Sequence, residues 1–270
     1  MATLRAPIRW EERVLFPDLQ AHVPPKELRS LGDRLRDQCC LSNEPTIWPR
    51  RCATNDSCAT FLPEGNRIMS LRVFEESPLV ARAGGLWREA TEADFLSAIR
   101  DGNLPREAFQ RWLVQDYLFA KGLATFQSIA VAKTPRPAQR VLIEGLSALD
   151  AELDWFEQNA QRQALDLNAA LHPTCRRYVD YLVASAYTQP FEVLLAILYG
   201  VEASYLCAWS ALEASGPYAE FINRWSNSQF VEYVRGLLNV CNRHTHELQQ
   251  EQFNEVLRHE RDFWKMTWEG

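Results

Sequence analysis

Long apolar runs are missing from this 270-residue chain, and several functions go with them. No stretch of about 18 apolar residues occurs, which argues against a transmembrane helix. The opening MATLRAPIRWEERVLF has no apolar signal core and carries acids early, so a secretory signal is not expected. No basic block exists and the net charge is −6, a poor match for nucleic acid. The expected setting is cytoplasmic, with neither a membrane nor a nucleic-acid partner. The cysteines number seven, and an odd count in such a chain reads as reduced thiols. Cys39, Cys40, Cys52 and Cys58 lack the paired CxxC spacing of zinc sites. No strand-like alternation of any length is present, and no Ser-His-Asp signature.

What is present is helical periodicity. The chain changes character near Met69. Residues 1–68 are rich in Arg, Pro and Cys with little sustained pattern, and read as an appended segment, disordered or partly helical. Residues 69–270 read as one all-α bundle of seven or eight helices. A first helix is expected over about Ser77 to Glu89. Thr91 is expected to cap the next, and breaks fall at Asp101-Gly102, Thr134-Pro135, His172-Pro173, Gln189-Pro190 and Gly216-Pro217. The segment FEVLLAILYGVEASYLCAW is apolar nearly all round and should be central.

Within these helices four acids stand one turn from aromatic rings. They are Asp116 with Phe119, Glu152 with Trp155 and Phe156, Glu202 with Tyr205, and Glu260 with Phe263 and Trp264. A buried carboxylate without a partner costs several kcal/mol or shifts its pKa. Four on separate segments suggest one acid-lined, aromatic-walled pocket. For each acid a purely structural role competes. Asp116 could pair with an Arg or Tyr instead of accepting from an amino-substituted heteroaromatic ring. Glu202 could be a satisfied core acid instead of an acid/base group. Glu152 and Glu260 could form surface ion pairs. A di-iron site requires Glu-x-x-His pairs. None of the five histidines follows a candidate acid by three residues, so no metal and no other cofactor is expected.

The blocks FLSAIRDGNLPREAFQRWLVQDYLFAKG, ALDAELDWF, PTCRRYVDYL, AILYGVEASY, INRWSNSQFVEYV and HERDFWKM, in this order, resemble the TenA family of the haem-oxygenase-like fold. The resemblance runs from about Phe74 to the C-terminus. It implies a thiamin-salvage hydrolase acting on the aminomethyl or formylaminomethyl arm of a 4-aminopyrimidine, giving hydroxymethylpyrimidine. The cysteine that serves as nucleophile in one class falls at Val201, beside Glu202. The chain thus resembles the cysteine-lacking class (TenA_E), whose plant members act on formylaminopyrimidine and aminopyrimidine. By the same resemblance Asp116 holds the pyrimidine nitrogens, Tyr178 and Tyr205 are pocket tyrosines, and Glu260 is the C-terminal acid/base glutamate. Phe119 replaces a tyrosine. The expected catalytic residues are Glu202, Glu260 and Asp116. Tyr205, Tyr178, Phe119, Glu152 and Trp225 are expected to bind the ring, stacked between aromatics. Relatives form dimers or tetramers, so a homo-oligomer is an expectation. A non-catalytic pyrimidine binder and a metal-dependent oxygenase on the same scaffold are the rival readings.

Overall fold

Proline and glycine set several of the helix boundaries in the computed structural model, which describes residues 71–270. The expectations for residues 1–68 lie outside that range. Ten α-helices are described, with no strand among the described residues. Ser77 caps α1 (Pro78–Ala83), its hydroxyl accepting from the Val80 amide with Pro78 in the first turn. Gly84, at φ 58°, ends α1 and starts α2 (Gly85–Thr91). Then follow α3 (Asp94–Arg100), α4 (Arg106–Lys133) and α5 (Gln139–Gln163). After them come α6 (Pro173–Thr188), α7 (Phe191–Ser210) and α8 (Ala219–Trp225). The chain closes with α9 (Ser228–Arg243) and α10 (Gln249–Glu269).

The count exceeds the expected seven or eight for two local reasons. The first expected helix is split by the left-handed backbone at Gly84. The segment after Gly216-Pro217 is split where Asn227 leaves helical geometry and its side chain accepts from the Phe230 amide. Thr91 is not a cap. It is the last residue of α2, its hydroxyl donates back to the Trp87 carbonyl, and Ala93 precedes α3 without a side-chain cap.

Helix α7 is the hub. It packs on α10, α9, α2, α8 and α4, while α4 lies between α5 and α6. It is long and apolar enough to cross a membrane by composition, with a mean hydropathy of 1.6 in its most apolar window. Yet 78% of that window is buried inside the bundle, which marks a core helix of the kind the all-round apolar pattern predicts. Two glycines are closely covered by a neighbouring helix. A Cβ at Gly122 on α4 would strike Val179 on α6. At Gly200 on α7 it would press on Phe253 and Val256 of α10.

Candidate active site

Each of the four acids is carried by a different helix, and the bundle brings them to one region. Asp116 comes from α4, Glu152 from α5, Glu202 from α7 and Glu260 from α10. Charge on Glu152 and on Glu260 is felt by both Asp116 and Glu202. The set is therefore a single electrostatic cluster. Asp116, Glu152 and Glu202 line a small chamber whose other walls include Phe119, Tyr205 and Trp225.

Each acid has a different partner. The Tyr205 hydroxyl donates to Asp116 Oδ2 at 2.6 Å. The Trp225 indole N–H donates to Glu152 Oε1 at 2.9 Å. The Tyr178 hydroxyl donates to Glu260 Oε1 at 2.6 Å. Glu202 has the Tyr233 hydroxyl as its hydrogen-bonding neighbour. All four pKa values are raised, and in all four burial is the leading cause. Glu202 is pushed up to about 8, with repulsion from Glu152 and Glu260 added to burial. Glu260 also reaches about 8, held back only by the Tyr178 hydrogen bond. For Glu152 the rise is opposed by the Arg224 guanidinium and by the Trp225 N–H, both of which favour its charged form.

Two expected site residues sit elsewhere. Glu260 is buried, not in a surface ion pair, and neither it nor Tyr178 lies on the chamber wall. Both form a layer behind Phe119, whose ring is 4.7 Å from that of Tyr178. The far face of Tyr178 stacks on His259 at 4.8 Å. Tyr205 and Trp225, both expected to bind the substrate ring, both line the chamber. These rings meet at 86°, and Tyr205 is already stacked on Trp264 at 5.7 Å. A ring in the chamber can lie flat on one of them and meets the other edge-on.

Tyr233 on α9 is the site residue that sequence reasoning missed. It lines the chamber, neighbours Glu202, and its oxygen accepts from Gln127 Nε2 at 3.2 Å. Gln127 is fully buried on α4 and also donates to the Leu142 carbonyl. The phenol reaches this place by crossing Gly145 on α5, where a Cβ would collide with its hydroxyl and ring. The signal in the sequence was a glycine in mid-helix, which costs roughly 1 kcal/mol against alanine and so calls for a reason.

Among the described residues no cysteine lines the chamber, and Val201 stands on its wall. Cys175, Cys207 and Cys241 are buried free thiols, each pushed up to about 12 mainly by burial. Such thiols keep their protons and are poor nucleophiles. Among the described residues no group of three or more His, Cys, Asp or Glu is placed to hold a metal ion.

Comparison with known proteins bears on the fold and the family. A Glycine max protein named "Probable bifunctional TENA-E protein" is 25% identical over 201 residues, 67% of this chain and 88% of that one. A solved TenA homologue from Pyrococcus furiosus superposes with a TM-score of 0.65 at 31% identity, over 70% of this chain and 97% of its own. A TenA family transcription regulator from Silicibacter sp. TM1040 shares the fold, with a TM-score of 0.66 at 19% identity, over 76% of this chain and 97% of its own. The TENA/THI-4/PQQC family model matches residues 80–270. The chain belongs to the TENA/THI-4/PQQC family.

Proposed function

We propose that the protein is a cytoplasmic hydrolase of thiamin salvage, of the cysteine-lacking TenA_E class, cleaving the C–N bond on the aminomethyl or formylaminomethyl arm of a 4-aminopyrimidine. The observation that carries this reading is the convergence of Asp116, Glu152 and Glu202 on one aromatic-walled chamber. The name of the Glycine max relative supports the class.

Each acid has a distinct task. Asp116 accepts from Tyr205 at Oδ2, which leaves Oδ1 free to hydrogen-bond the amino group or a ring nitrogen of the pyrimidine. Glu202, at a pKa of about 8, holds its proton at neutral pH and can deliver it to the departing nitrogen. Glu152 is the acid whose anion is best supported, by Arg224 and Trp225, and is the base that takes a proton from water. Glu260 stands behind the wall, and as it ionises near pH 8 its charge adds to the proton affinity of Glu202.

With a free amine arm, the water oxygen bonds to the methylene carbon, the C–N bond breaks, and ammonia leaves with the Glu202 proton. With a formyl arm, water first attacks the formyl carbon, giving formate and the amine. A Glu202→Gln protein should lose about 100-fold or more in turnover of both compounds, the scale of one general acid. Full-rate turnover by that variant would sink the assignment.

A further inference from the structure

The chamber is too small for the whole of its proposed ligand. Its free volume is about 80 Å³. A protein cavity of about 150 Å³ is what takes up benzene, and an aminopyrimidine with its arms is larger than benzene. Beside the chamber lies an outer cleft of about 710 Å³. The two share Ala148, Glu152, Trp225, Phe230 and Tyr233 as walls. These residues form a neck, and the base Glu152 stands in it. Because the chamber is smaller than a ring needs, a ring held by Asp116 reaches into this neck, and whatever its arm carries lies in the cleft.

The cleft is built by α5, α8 and α9, and its charges are nearly spent. Arg224 faces Glu152 and lies 4.5 Å from the Trp155 ring centre, while Glu232 pairs with Arg235. Among the described cleft residues that leaves Glu144 as the uncompensated charge. At the start of α9 the Asn227 side chain already takes one of the free N–H groups, accepting from the Phe230 amide at 2.9 Å. An anionic substituent finds no welcome, and a neutral or cationic one does. The volume suits a sizeable group, within the roughly 300–1,000 Å³ range of small-molecule sites, and far exceeds what ammonia or a formyl group needs.

We propose that the substrate includes N-acylated aminomethylpyrimidines whose acyl group is larger than formyl and neutral or cationic, held in the cleft between α5 and α9. The inference rests on the aminopyrimidine reading of the chamber. In the reaction the acyl C–N bond breaks, the water oxygen stays on the acyl carbon, and the amine nitrogen takes the proton. The products are the pyrimidine amine and a carboxylic acid.

The test compares four compounds with one ring: the free amine and its N-formyl, N-glycyl and N-succinyl derivatives. The wild-type protein should favour glycyl over succinyl by about tenfold or more in kcat/KM, the mark of charge-based discrimination. Glu144→Arg should narrow that ratio. Gln229→Trp, which fills the cleft from an exposed position off the chamber wall, should cut kcat/KM for the glycyl compound about tenfold while leaving the free amine within about twofold. Equal rates for glycyl and succinyl would overturn the proposal, as would a Gln229→Trp effect that is the same on all four compounds. Calorimetric titration of the same compounds separates the two claims. The expected affinity order without hydrolysis of any compound defeats the hydrolase reading and upholds the cleft. Absence of binding by all four defeats both.

Discussion

Glu202 and Glu260 titrate near 8 in the folded protein, against an ordinary value of 4.5. Between those values the folded chain holds protons that the unfolded chain has given up. Stability is then fully present below about pH 4.5 and declines as pH rises through about 8. At ~1.4 kcal/mol per pKa unit the loss amounts to a few kcal/mol for each group. Glu202→Gln should therefore melt higher than wild type at pH 9 and close to it at pH 5, in thermal melts at one scan rate. The opposite order would show that the carboxylate is stabilised by the fold. Activity should also fall above about pH 8 as the acid loses its proton. Because the Tyr233 hydroxyl favours the Glu202 anion, Tyr233→Phe should move that alkaline limb to higher pH and lower kcat about tenfold. An unmoved limb would assign Tyr233 to packing alone. The acids were legible because three- and four-residue spacing on a helix reveals a charge on an aromatic face. Tyr233 was not, since its polar contacts cross from α9 to α7 and α4, and no periodicity reports a bond between helices.

At the scale of elements, the central place of α7 could be read from its composition, and breaks at proline agree with the structure at α6 and α7. The extra breaks at Gly84 and Asn227 could not, because each depends on local backbone geometry inside an otherwise helical pattern. The pair Gln115-Asp116 shows how one helix serves two ends. Asp116 faces the chamber. Gln115 binds the loop before α6, accepting from the His172 amide at 2.8 Å and donating to the Ala170 carbonyl at 3.1 Å. That loop fixes where α6 starts, and so where Tyr178 meets Glu260. The α4–α6 contact at Gly122 is the place to test this coupling. Gly122→Ala should push Val179 away and cost ~1–3 kcal/mol in a denaturant titration, as overpacking does. It should lower activity too, since α6 carries the Tyr178 that holds Glu260. Unchanged stability would mean that the two helices separate freely.

At the scale of the whole molecule, the family match and the described helices both fall after Met69, within residues 71–270. A chain starting at Met69 is expected to keep its helical circular dichroism and its turnover, and loss of either would assign residues 1–68 a part in the domain. The hub position of α7 carries a further consequence. Folding hides a 20-residue segment whose composition would suit a lipid bilayer. Any global opening releases that segment into water, where it should seek other copies of itself or a chaperone faster than it refolds. Heat denaturation should accordingly be irreversible, with an apparent Tm that climbs as the scan is run faster. The working lifetime of this protein would then be set by how rarely it opens.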